Sequence, residues 1–250
     1  MSKLKVFTSI ADFIKYRDGL PQSTTVGFVP TMGALHEGHT ALIKQSASEN
    51  QLTVLSIFVN PTQFSNIEDL EKYPRTWEQD LILAEAAGAN VVLHPNYNEI
   101  YADNYRYKLT ENDFSKKLCG TFRAGHFDGV LTVVMKLLQI VQARKAYFGE
   151  KDYQQLYLIQ DMAKTFFLRT EVVGCKTVRE ADGLAMSSRN KRLTASGREK
   201  APAIYQALKS ANRKQLSELG IEVEYLEEHF NRRFIAAYID GVRLIDNVEI

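Results

Sequence analysis

Two spacings of apolar residues run through this chain, one near three and a half and one continuous, and they divide it into helices and buried strands. Ile10, Phe13 and Ile14 against Lys15, Arg17 and Asp18 predict a short amphipathic helix over 10–19, its apolar side inward. The unbroken runs at 26–29 and 53–59 read as strands covered on both faces, because such strands lose the usual alternation. A helix opens between them at Thr40 to Lys44. Trp77 to Ala87 predicts a helix ended by Gly88, and Asn90 to Leu93 a strand stopped by Pro95. Val130 to Gln142 predicts a buried helix, Ala146 to Phe148 a strand, Gln154 to Phe167 a helix and 171–173 a last strand. Between them, Tyr97 to Lys117 mixes aromatics with charges and is expected to run over the surface.

The texture changes after Asn190. Residues 195–219 read as helical and charged, with Gly220 as the break. Residues 222–233 read as a second charged helix, and 234–245 as a hairpin around Asp240-Gly241. Strands alternating with helices predict an α/β protein, a Rossmann-like open parallel sheet with helices on both faces. The expected division is a Rossmann-like domain over 1–178 and a small α+β C-terminal domain over 179–250.

Composition narrows the class without changing this picture. At 45% hydrophobic and 24% charged residues, the 250-residue chain has the balance of a soluble globular protein. Its 31 basic and 30 acidic residues leave a formal charge of +1, which gives no reason to expect a nucleic-acid or membrane partner. Cys119 and Cys175 lie far apart without metal-ligand spacing, as in a reduced cytoplasmic protein. No long apolar core follows Met1, so no signal peptide is expected. The apolar stretch 130–141 contains Lys136 and Gln139 and is too short to span a bilayer.

Parallel sheets present their chemistry at the C-terminal ends of the strands. After the first apolar run come Thr31 to His39, where a strand turns through glycine into a helix start and offers N–H groups to an anion. His36 and His39 share one face of that first turn, and Gly33 and Gly38 allow close approach. The pattern suits a phosphate site; it also suits a helix start with two solvated histidines. The next strand ends at Asn60 and Gln63. Asn60 fits either a ligand role or turn chemistry before Pro61, while Gln63 favours a ligand. A later strand ends at Gly149, Glu150, Lys151 and Asp152, followed by Gln155. A lysine at a helix start is electrostatically misplaced unless it faces an anion. Finally, Met186-Ser187-Ser188-Arg189 sets two hydroxyls and a guanidinium in tandem, a set that suits a polyphosphate and is also common in linkers.

His36-Glu37-Gly38-His39 paired with Met186-Ser187-Ser188-Arg189 resembles the two signature elements of the nucleotidyltransferase superfamily that includes class I aminoacyl-tRNA synthetases. More narrowly, Pro30 to Gly33, Phe58 to Phe64, Tyr73 to Arg75, Gly125 to Phe127, Phe148 to Asp152, Met186 to Asn190 and Arg243 to Asn247 are similar, in order, to the pantoate–β-alanine ligases. That resemblance implies two half-reactions: pantoate carboxylate attacks the α-phosphate of ATP, releasing pyrophosphate, and the β-alanine amine then displaces AMP to give pantothenate. It implies an ATP site made by Met32, Gly33, Ala34, Leu35, His36, Glu37, Gly38 and His39, with Gly149, Glu150, Lys151, Asp152, Val178, Met186, Ser187, Ser188 and Arg189. It makes His39, His36, Lys151 and Arg189 the catalytic set, with His39 stabilising charge on the phosphates. Pantoate would lie on Gln63 and Gln155, β-alanine on Gln63, and Asp80 would be an outer partner of Mg2+. A cytoplasmic homodimer is expected. Against that family the C-terminal domain reads as shortened, because the segment 222–233 runs almost directly into Phe234 to Tyr238, where an additional strand and connection are expected. Another nucleotidyltransferase, such as a cytidylyltransferase, or a nucleotide-binding module without turnover is the alternative.

Overall fold

The computed structural model describes residues 4–250; the start of the N-terminal segment, Met1 to Lys3, lies outside the described residues. Six strands form one parallel sheet in the order β1-β4-β3-β2-β5-β6: β1 (Lys5–Phe7), β2 (Val26–Thr31), β3 (Leu52–Ile57), β4 (Val91–Leu93), β5 (Lys145–Gly149) and β6 (Glu171–Cys175). Neighbouring residues on each strand serve opposite faces. Phe28, Val54, Val91 and Ala146 face α1 (Ile10–Asp18) and two helices discussed below, whereas Val29, Leu55, Val92 and Tyr147 face α2 (Glu37–Glu49). Both sides are dry, which is why the strands read as continuous apolar runs.

Between β3 and β4 run a short α3 (Ile67–Glu71) and α4 (Trp77–Ala87), the latter ended by Gly88 at φ 100 as its sequence implies. Between β4 and β5 come α5 (Tyr97–Ile100), α6 (Cys119–Phe122) and α7 (His126–Val141); α8 (Tyr153–Thr165) follows β5. One expectation needs qualifying here and another correcting. The segment 97–117 runs over the surface for most of its length, as expected, but it is anchored by Ile100, Tyr101 and Phe114, which are buried in the main core. Ile14, expected to point inward on α1, is 39% exposed, and Phe13 alone carries that helix's fully buried contact.

The C-terminal region departs further. Residues 195–219 are three helices, α9 (Ala195–Lys200), α10 (Ala203–Ser210) and α11 (Arg213–Glu218). They are separated at Pro202, which lacks an N–H, and at Ala211, whose φ is 55. The expected helix at 222–233 does not exist. Its residues form β7 (Glu222–His229) and the start of β8 (Arg232–Ile239), which continues antiparallel into β9 (Val242–Glu249). A register shift between Val223 and Tyr225 is the reason: it leaves Val223 and Leu226 on one face, against α10 and α11, and Tyr225 on the other. Apolar residues three apart on one face imitate a helix. With that strand restored, the C-terminal unit is not short of the element it was expected to lack. Both turns of this meander place their central residues at positive φ, Phe230-Asn231 at 51 and 54 and Asp240-Gly241 at 53 and 71.

One face of the small sheet closes a core of its own around Ile204, Leu208 and Ile235. The other, through Tyr225, Phe234 and Ala236, joins the main core. No helix among the described residues is long and apolar enough to cross a membrane.

Candidate active site

The sheet order reverses between β2 and β5, where successive strands depart in opposite directions, and a crevice opens at that point beyond the strand ends. It holds a cavity of ≈ 270 Å³, walled by the ends of β2 and β5, the 60–64 turn, α7 and the 176–190 segment.

The first wall is the turn after β2. Thr31 bonds back to Ser56 O at 2.7 Å and receives Gly33 N, and Gly33 takes φ 82. A Cβ on Gly33 would stand 2.9 Å from Asp80 Oδ2, so only glycine fits. Asp80 is 1% exposed and accepts Ala34 N at 2.9 Å, Leu35 N at 2.8 Å and the Thr76 hydroxyl at 3.0 Å. Both carboxylate oxygens are thus committed to the loop, and the residue does not line the cavity. This corrects the expectation of a magnesium partner: Asp80 is the clasp that shapes the loop. Gly33, Ala34 and Leu35 are themselves buried beneath the surface of the cavity and Glu37 points to solvent.

At the start of α2 two histidines cap one another. His36 Nδ1 accepts Gly38 N at 3.1 Å, and His39 Nδ1 accepts His36 N at 3.3 Å. Each Nδ1 is an acceptor, so the network assigns both protons to Nε2. Burial first, then the charge of Lys151, lowers His36 to about 4. Burial, then His36, lowers His39 to about 3. Both line the cavity as neutral donors.

The second wall is the 60–64 turn. Asn60 is buried and spends its amide on Gly129 O (3.2 Å), Gln63 Oε1 (3.0 Å) and the Tyr101 hydroxyl (2.8 Å). Local turn chemistry before Pro61 does not account for the Gly129 and Tyr101 contacts, and Asn60 also lines the cavity. Gln63 lines the cavity with its amide nitrogen 3.3 Å from Met32 Sδ. Its main-chain oxygen is held by His126 Nδ1 at 2.7 Å and Arg123 at 3.3 Å. His126 Nε2 accepts from Arg123 at 3.0 Å, so this histidine is also neutral; burial, then Arg123, lowers it to about 3. Arg123 lines the cavity and forms no ion pair with a carboxylate among the described residues. Sequence reasoning missed it. Its signal was its position two residues before the Gly125-His126-Phe127 motif.

Beyond β5, Gly149, Lys151, Asp152 and Gln155 line the cavity, while the neighbouring Gln154 turns inward to Phe114 O and Lys117 O, both at 2.8 Å. Burial pushes the Asp152 carboxyl up, and Lys151 and Arg189 beside it more than offset this and hold it below the usual range. Glu150 points the other way, to Arg232 at 3.3 Å. The last wall brings Val178 and Met186 to Arg189, joined by the Met186 N to Val178 O bond at 3.0 Å; Ser187 caps the short helical turn that carries Arg189. Opposite, Tyr73 bonds Ser188, and Asp69 pairs with Arg192 at 3.3 Å. Tyr73 and Asp69 also went unrecognised as cavity residues.

Chemically, the cavity offers neutral imidazole donors, Lys151 beside Asp152, Lys176, the guanidiniums of Arg123 and Arg189 without an ion-pair partner among the described residues, the amides of Gln63 and Gln155, and an apolar floor of Val130, Val133, Val134 and Leu137 from α7. It suits a polyanion beside a small, partly apolar acid.

Comparison with known proteins agrees. The family model described as pantoate-beta-alanine ligase matches residues 5–249. A pantothenate synthetase of Bdellovibrio bacteriovorus is 55% identical over 98% of this chain and 99% of its own length, and one from Legionella pneumophila is 50% identical with the same coverage. Among solved structures, pantoate-beta-alanine ligase of Francisella tularensis, complexed with β-γ ATP and β-alanine, superposes with a TM-score of 0.93 at 41% identity, covering 98% of this chain and 97% of that one. Pantothenate synthetase of Thermus thermophilus gives 0.91 at 37%, with 98% and 99% covered.

Proposed function

The chain belongs to the pantoate-beta-alanine ligase family, and from that premise we propose how its cavity divides the work of an ATP-dependent ligation. It is an ATP-dependent pantoate–β-alanine ligase, a carbon–nitrogen ligase of pantothenate biosynthesis. In the proposed sequence the pantoate carboxylate attacks the α-phosphorus of ATP, pyrophosphate leaves, and the β-alanine amine then attacks the acyl carbon and expels AMP.

The observation that carries this reading is the pair of neutral imidazoles beside Lys151. A carboxylate is a weak nucleophile and must approach an anionic phosphate, so catalysis comes from positioning and from charge stabilisation. The Nε2–H groups of His36 and His39 stabilise charge on the phosphates, and Lys151 and Arg189 add the full charges. Met32, Gly38, Gly149, Asp152, Val178, Met186, Ser187 and Ser188 complete the nucleotide wall; Gly33, Ala34, Leu35 and Glu150 shape it from behind. Gln63 and Gln155 hold pantoate by its oxygens, with its methyl groups against the valines of α7, and Gln63 also meets β-alanine. Arg123 gives the β-alanine half of the cavity its positive charge.

Among the described residues no group of three histidine, cysteine or carboxylate side chains could hold a metal. Magnesium would arrive with ATP and neutralise charge on its phosphates, and Asp152, a cavity carboxylate beside Lys151, would be its protein partner. The same reading carries a cytoplasmic homodimer, checked by light scattering and cell fractionation. Family membership disfavours a cytidylyltransferase or an inert nucleotide binder. The deciding experiment supplies ATP, magnesium and pantoate without amine. Pyrophosphate exchange should occur, and pantothenate should form once β-alanine is added; exchange that requires the amine would exclude the adenylate route.

A further inference from the structure

The turn that carries Lys151 is held from behind by the small sheet. Asn247, on β9 and 3% exposed, donates through Nδ2 to two successive carbonyls, Glu150 O at 2.8 Å and Lys151 O at 3.0 Å. Its Oδ1 accepts from Arg232 of β8. The guanidinium of Arg232 also reaches the Glu150 carboxylate at 3.3 Å and stacks over the Tyr153 ring at 4.0 Å, the first residue of α8. The orientation of the Asn247 amide is not arbitrary, since a reversed amide would set an oxygen against two carbonyl oxygens.

Neither side chain lines the cavity, yet together they fix its most charged turn. In a trans peptide the C=O and the following N–H point in opposite directions. Drawing the carbonyls of Glu150 and Lys151 toward Asn247 therefore turns the N–H groups of Lys151 and Asp152, two residues that line the cavity, away from Asn247. Two adjacent N–H groups aimed one way at a helix start form an anion cradle.

Resting on the reading of this cavity as the ATP site, we propose that Asn247 and Arg232 are positioning residues for the nucleotide: from the small sheet they set the main-chain donors and the lysine of the 150–152 turn against its phosphates. Asn247→Asp is nearly isosteric but offers no donor and repels both carbonyls, and Asn247→Ala removes the strut. Arg232→Gln keeps the two donors of Asn247 and loses the brace behind them.

The test is calorimetric binding of β,γ-methylene-ATP to the full chain, with KM measured separately for ATP and β-alanine. Asn247→Asp should weaken analogue binding and raise KM for ATP by about ten- to thirty-fold, the scale of one or two hydrogen bonds. KM for β-alanine should stay within about twofold. Should the Asn247 variants fail to fold by thermal denaturation, Arg232→Gln should show the same split at about threefold. Unchanged nucleotide affinity in folded variants, or a parallel rise in both KM values, would overturn the proposal. A wild-type protein that binds the analogue but makes no pantothenate would sink the ligase reading instead, and leave this test intact because its readout is binding.

Discussion

The rings of His36 and His39 lie 4.1 Å apart at 42°, each with Nδ1 bonded to a main-chain N–H, so neither can take a second proton without breaking the start of α2. Together they act as a capping pair whose remaining donors belong to the cavity lining.

Removing either donor should therefore slow adenylation and not merely weaken binding. His39→Ala should lower the pyrophosphate-exchange rate by about a hundred- to a thousand-fold, the usual scale for one preorganised donor. His36→Ala should do the same and also cost about 1 kcal/mol of stability through loss of the cap. Exchange kinetics and urea unfolding of both variants separate the two effects; a His39 variant exchanging at the wild-type rate would remove that residue from the chemistry.

The pH dependence follows from the same burial. With His36 near 4 and His39 and His126 near 3, none changes charge between pH 5 and 8 in the free enzyme. The pH profile of kcat/KM for ATP should show no histidine limb in that range. Stability should fall as pH drops below about 6.5, because the unfolded chain binds protons that these sites refuse until pH reaches about 4 and 3. Imidazole signals of His36, His39 or His126 that titrate near 6.5 would contradict this.

Asp80 separates loop support from metal binding. Asp80→Ala leaves the Ala34 and Leu35 N–H groups buried without acceptors, which should cost roughly 2 to 4 kcal/mol and raise KM for ATP. The magnesium concentration for half-maximal rate should not move. A variant of normal stability with a tenfold higher magnesium requirement would restore the metal role.

Gly129 tests how closely α7 supports the turn that carries Gln63. A Cβ there would meet Thr62 O at 2.4 Å and Gln63 N at 2.7 Å. Gly129→Ala should displace Gln63 and cost about 1 to 3 kcal/mol. Its effect on catalysis should approach a hundred-fold, as for a shift of about 1 Å. A variant with unaltered KM for pantoate would show that the turn is pliable.

The sequence made the parallel sheet legible because its strands are buried on both faces and its helices end at clear signals such as Gly88. The lining positions of His36, His39, Gln63, Lys151, Gln155 and Arg189 were also accessible, since each follows a strand end or sits in a motif. What stayed hidden depends on long-range contacts. Asp80 is distant in sequence from the loop it clasps, Arg123 gains its place only when His126 folds over Gln63, and the bulge in β7 disguised a strand as a helix.

The two tight turns at Phe230-Asn231 and Asp240-Gly241 also set an order of assembly. β7, β8 and β9 meet neighbours a few residues away, whereas β1 must find β4 and β2 must find β5 across most of the large unit. Loop closure of that span is slow, and near-neighbour hairpins close within microseconds. The meander should thus exist while the parallel sheet is still searching, as a ready template against which Tyr225, Phe234 and Ala236 nucleate the shared core. Pulse-labelled amides of Ile235 and Leu244 should become protected before those of Val91 and Val92; the reverse order would make the parallel sheet the nucleus.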